Sequence, residues 1–180
     1  MKKIISPKFL LVCSAIAVAA ISRLFPHIPN FTPIAAMALF GAVYLENKFL
    51  AFAIPLFTMF LSDCALQLIT GYGFHSTLPY VYISFILTSC IGLWVKNNLT
   101  ISRIFIGSVT SSVLFFIITN FGYWAGINFA GGISGLNTAY VMGLPFFAPT
   151  MLGDLFFNSI LFGTFYLIQR RYPALIRVKA

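Results

Sequence analysis

Charged side chains in this chain are confined, with three exceptions, to every second gap between long apolar runs. Lys2, Lys3 and Lys8 precede the first run, and Glu46 and Lys48 separate the second from the third. Lys96 and Arg103 flank the gap between the fourth and fifth, and Arg170, Arg171, Arg177 and Lys179 follow the last. The intervening gaps, near 71–78 and 126–146, carry no charge. Basic residues that alternate with loop parity are the positive-inside pattern of a multi-pass membrane protein. The exceptions are Arg23, Asp63 and Asp154, which lie within or at the ends of apolar runs. A charge at membrane depth is costly, so each marks a candidate functional position.

Composition agrees with this class. Hydrophobic residues make up 60% of the chain and charged residues 8%, too few polar side chains to cover a soluble domain of this length. The net charge of +8 is spread over one set of loops, where it orients helices and meets anionic lipid. No basic cluster interleaved with aromatics exists, so no nucleic-acid partner is expected. Cys13, Cys64 and Cys90 sit in apolar runs without a CxxC spacing and read as small hydrophobes. Lys2, Lys3 and the apolar stretch 9–20 also resemble a secretory leader ending near Ala17-Val18-Ala19. The run continues to Phe25, however, and keeping it as a helix gives an even helix count.

A spanning helix needs about 20 mainly apolar residues. The runs predict an all-α, single-domain bundle over 1–180 with six transmembrane helices, at about 8–25, 33–44, 49–70, 78–95, 102–125 and 147–169. Pro33 suits a first-turn position and Pro55 is expected to kink the third helix. Both termini are then cytoplasmic, and the loops at 26–32, 71–78 and 126–146 face outward. The glycine-rich stretch 130–137 reads either as a mobile cover or as an ordinary connector.

The polar groups inside the runs share a depth. Arg23 lies under one turn below the outer end of helix 1. Asp63, Asn120 and Asp154 fall roughly 9–12 Å below the outer ends of their helices at 1.5 Å per residue. Each has a polar companion four residues on, hence on the same helix face: His27, Gln67, Trp124 and Asn158. Lipid satisfies none of these groups, so the stripes are expected to face one another. Two readings stay open, a pocket open outward or an interhelical clamp. One Arg against two Asp leaves a surplus acid, which favours the pocket. Tyr123 and Trp124 would stack on a planar part of a solute. No HExxH, GxSxG or P-loop pattern occurs, and neither aspartate has the flanks of an intramembrane aspartyl protease, so no enzyme is expected. Neither a metal nor a cofactor is expected.

The stretch Arg23-Leu24-Phe25-Pro26-His27-Ile28-Pro29-Asn30-Phe31-Thr32-Pro33-Ile34-Ala35-Ala36 resembles a family of small, uncharacterised bacterial membrane proteins. These in turn are similar to the substrate-capture S components of energy-coupling-factor (ECF) vitamin transporters. The likeness covers nearly the whole chain in length and helix layout. It implies a subunit of the bacterial cytoplasmic membrane that captures a small organic solute at the outer face. It brings Asn30 and Thr32 into the ligand-binding set with Arg23, His27, Asp63, Gln67, Asn120, Tyr123, Trp124, Asp154 and Asn158. It also implies a small-residue face on helix 1, here Ala15 and Ala19, that docks a transmembrane coupling subunit. Lys2 stands where the nickel and cobalt branch has His, so metal transport is not expected. The chain has no ATP-binding sequence, so ATPases would be partners. The alternatives are a self-sufficient permease or proton-coupled carrier, and a structural or assembly protein whose polar groups clamp helices.

Overall fold

The structure, a computed structural model, describes residues 6–173. Lys2, Lys3, Arg177 and Lys179 of the charge pattern lie outside the described residues. Six α-helices follow in order: α1 (Pro7–Ser22), α2 (Ile34–Tyr44), α3 (Lys48–Thr70), α4 (Leu78–Lys96), α5 (Ile101–Tyr123) and α6 (Gly132–Arg171). No strand occurs among the described residues. Four segments are long and apolar enough to cross a membrane: α3, α4, α5 with its extension to Ile127, and α6. The first two helices are shorter, at 16 and 11 residues, or about 24 and 17 Å. The expectation of six spanning helices thus becomes six helices, four of spanning length.

Local chemistry sets most ends. Ser6 caps α1 by accepting from Phe9 N, Asn47 caps α3 through Phe49 N and Leu50 N, and Thr100 caps α5 through Arg103 N. Gly71, at φ +73°, closes α3 in the left-handed conformation that glycine adopts without strain. α1 stops at Ser22 rather than Phe25, because 23–25 tighten into i→i−3 turns ahead of Pro26.

The centre of the bundle is α2. Every residue from Ala35 to Tyr44 is buried, and α2 contacts all five other helices. Its small residues admit neighbouring backbones closely. A Cβ on Gly41 would fall 2.6 Å from Pro55 of α3, and one on Gly92 of α4 would fall 2.6 Å from Ala42. Pro55 therefore sits inside α3, buried against a glycine. On the remaining side Phe40 meets Phe162 and Phe165 of α6 edge-on, at 5.3 and 5.6 Å.

The largest departure from expectation is 126–146. This segment is not a loop. A π-helical turn (Trp124–Asn128) and a 3₁₀ turn (Phe129–Gly131) lead into α6, which runs for 40 residues through Pro145 and Pro149. The reason is packing. Gly135, Ala139 and Gly143 are buried at four-residue spacing, a small-residue stripe, and a Cβ on Gly143 would collide with the Asn120 side chain of α5. Gly143 is a place of close approach rather than a helix stop.

Candidate functional site

Arg23 is the C-cap residue of α1, and the chain beyond it turns back into the bundle through 24–33. Asn30 takes φ +64°, which asparagine tolerates, and Thr32 N donates to Asn30 O. The turn is seated on α6. A Cβ on Gly153 would lie 3.0 Å from Thr32 N, and the Phe31 ring packs 5.5 and 5.8 Å from those of Phe156 and Phe157.

This folding places two acids in opposite walls. Arg23 Nη2 donates to Asp63 Oδ1 at 2.8 Å, and Nη1 donates to Ser62 Oγ and Met59 Sδ. Tyr82 of α4 donates its hydroxyl to Asp63 Oδ2 at 2.8 Å. One buried pair with its hydroxyl thus ties α1, α3 and α4 together. Asp154 of α6 faces no cation. It accepts from Ser112 Oγ of α5 at 2.7 Å, and its carboxyl group lies beside the backbone N–H groups of Ala35 and Ala36, in the first turn of α2. Pro33 supplies no side-chain cap to α2, and Asp154 faces that uncapped end. The N-terminal end of a helix carries roughly half a positive charge, which suits a carboxylate. The surplus acid of the sequence therefore lies at a helix end. Lys96 closes the other end of α2 by donating to Leu45 O.

Between these walls lies a cavity of about 320 Å³ lined by Arg23, His27, Asn30, Thr32, Asp63 and Asp154, with Tyr72, His75 and Thr77 at its edge. A second lobe of about 330 Å³ adjoins it across Asn30, Thr77, Phe115, Thr119 and Thr150. Asn120 and Tyr123 line this lobe with Phe116 and Phe147, so it is the aromatic side of the site. Asn120 donates within α5, to Phe116 O, and its side chain packs against Gly143 of α6.

Three expected site residues point elsewhere. Gln67 Oε1 accepts from Gly73 N and Phe74 N, both at 3.0 Å, and fixes the loop at the rim. Trp124 Nε1 donates to Gly132 O at 2.9 Å and closes the α5–α6 turn. Asn158 binds Ser108 Oγ at 2.9 Å and lines a different cavity. His27 is exposed, with Nδ1 3.0 Å from Ile28 O. Ser62, Tyr82, Ser112, Thr119 and Thr150 were not singled out from the sequence. Their hydroxyls carry no charge, and Thr119 and Thr150 also bond to their own helix four residues back, so nothing in the letters marks them. No group of three His, Cys, Asp or Glu side chains able to hold a metal exists among the described residues. Ala15 and Ala19 line an apolar groove of about 310 Å³ between α1 and α6, with Phe40 also in its wall.

Helices of spanning length packed around a buried, charge-paired polar cavity define an all-α bundle of membrane-helix character. The chain belongs to a family of unknown function (DUF6580), whose model matches residues 3–175. No curated protein and no solved structure matches it.

Proposed function

We propose that this protein is a membrane transport subunit that captures a small organic solute, in the manner of an ECF S component. The observation that carries the reading is the two-lobed cavity, polar around Arg23, Thr32 and Thr77 and aromatic around Phe116 and Tyr123. It lies at the uncharged end of the bundle, which the charge alternation assigns to the outer face. Arg23 is paired with Asp63 and keeps Nε buried without a partner among the described residues, so a solute is held by hydrogen bonds and ring contacts. The Ala15–Ala19 groove supports a partner helix, because small residues permit close approach.

A clamp reading draws on the same pairs, since Arg23–Asp63–Tyr82 and Asp154–Ser112 each bridge helices. Ligand-dependent stabilisation separates the two. The purified protein in nanodiscs is heated with each of a panel of water-soluble vitamins and nucleobases. A captured solute at a hundred times its Kd stabilises by about 2.7 kcal/mol and raises the unfolding temperature accordingly. Thr119→Phe, at the junction of the lobes, is expected to remove that shift while leaving the ligand-free midpoint close to wild type. A panel with no shift, or a shift that survives Thr119→Phe, favours the clamp.

A further inference from the structure

The polar seam between α5 and α6 does not stop at the first cavity. One turn beyond Asp154, Asn158 is 2% exposed and donates through Nδ2 to Ser108 Oγ. Ser112 Oγ lies 3.1 Å from Ser108 O as well as 2.7 Å from Asp154 Oδ2. Asp154–Ser112 and Asn158–Ser108 are thus two adjacent rungs across one seam. The first rung's Asp154 lines the cavity already described. The second rung lines a separate cavity of about 550 Å³ that runs toward the basic end, past Gly163 and Tyr166 to Gln169 and Ile101.

One feature of this cleft asks for an occupant. Asn158 Oδ1 is buried at its wall without a partner among the described residues. A buried acceptor left unmade is costly, and such groups normally hold a ligand or water. Gly163 lines the same cleft, where a Cβ would meet nothing within 4 Å among the described residues, so the space beside the rung is open.

We propose that this cleft is a second, water-filled vestibule of the solute path, separated from the capture cavity by the two rungs alone. It takes a small solute with an apolar body, against Phe105 and Phe162, and a hydrogen-bond donor directed to Asn158 Oδ1. The identity of the solute rests on the capture reading; the vestibule itself does not. Parting of α5 and α6 at the rungs would join the two cavities, so this chain holds both halves of a route, which capture alone does not need.

Water access decides the matter without any solute. Ser159 lines the cleft, and its hydroxyl bonds only within its own helix, to Leu155 O. Ser159→Cys is made in the full-length protein, reconstituted in phosphatidylcholine and phosphatidylglycerol vesicles, and treated with charged sulfonatoethyl methanethiosulfonate. Modified thiols are mapped by mass spectrometry. Cys90, exposed on α4, is the internal reference. It lies six residues from the basic end of α4, whereas Ser159 lies twelve from that of α6, so the reference is the shallower thiol. The Ser159→Cys thiol is expected to react about tenfold faster than Cys90, because the thiolate forms in water and not in lipid. Adding Gly163→Phe, which fills the cleft, should bring its rate down to that of Cys90. If the charged reagent modifies the Ser159→Cys thiol no faster than Cys90 while N-ethylmaleimide reaches both, the cleft holds lipid and the vestibule is refuted. Capture at the first cavity, read by the thermal shift, stands or falls separately.

Discussion

Asp63 and Asp154 are the same residue type, both buried, in walls of the same cavity, and the protein surrounds them by different means. Asp63 has a discrete cation, Arg23, 2.8 Å away. Asp154 has the first turn of α2 and a serine hydroxyl. A helix end offers about half a unit charge spread over several N–H groups, whereas a guanidinium offers a whole one. Removing Asp63 therefore strands a cation, and removing Asp154 strands only dipoles. The two walls also divide the bundle: the ion pair binds α1, α3 and α4, and the helix cap binds α2, α5 and α6.

The sharpest break of this comparison is Asp63→Ala. Losing one partner of a buried pair leaves the other uncompensated, which costs about 3–5 kcal/mol. Unfolding in detergent, followed by denaturant titration, should show that loss. The double variant Arg23→Gln with Asp63→Asn removes both charges and keeps the shapes, and should recover more than half of it. A loss below about 1 kcal/mol for Asp63→Ala would place the pair among solvent-screened surface contacts and contradict its burial.

Asp154→Ala comes second. It removes the carboxyl group facing the first turn of α2 and leaves the Ser112 hydroxyl without its acceptor, and buried unsatisfied groups cost about 1–3 kcal/mol. Asp154→Asn keeps one carbonyl acceptor for the helix end and should lose less. The same loss should appear in the Arg23→Gln/Asp63→Asn background to within about 0.5 kcal/mol, since the two sites share no hydrogen-bond partner. Coupling well beyond that would mean that Asp154 leans on Arg23 after all, and the two-means picture would fail.

These contrasts also show what the residues alone disclose. Arg23, Asp63 and Asp154 were legible because a charge in an apolar run has to be explained. Their partners were not. Tyr82 is one of eight tyrosines, and the backbone N–H groups that receive Asp154 have no letter of their own. The pairing of four-residue companions was correct as helix geometry, yet Gln67, Trp124 and Asn158 serve the rim loop, the α5–α6 turn and the second rung. In the fold, α3 and α4 were placed within a residue at either end, because Gly71, Gly73 and Pro79 punctuate them. The first half of α6 was missed because Gly131, Gly132, Gly135, Pro145 and Pro149 read as breakers. The stripe Gly135, Ala139, Gly143 carried the opposite signal, legible only once a partner helix is supposed.

The smallest expected effect lies at the opposite end of the central helix, where Lys96 rather than an acid closes α2. Lys96 Nζ donates to Leu45 O, the C-cap carbonyl, where a cation complements the negative end of the helix dipole. Unlike Asp154, Lys96 is only half-buried, at the last residue of α4, and Glu46, next to Leu45 in sequence, forms an exposed pair with Lys8 nearby in space. Water and salt therefore share its work. Lys96→Met keeps the aliphatic stem and removes the charge, and should cost about 0.3–1 kcal/mol, less than Asp154→Ala, with the difference shrinking in high salt. The measurement is the same detergent unfolding curve, repeated at low and high ionic strength. A cost larger than that of Asp154→Ala, or one indifferent to salt, would mean that the charged end of the bundle, and not the cavity wall, fixes the central helix.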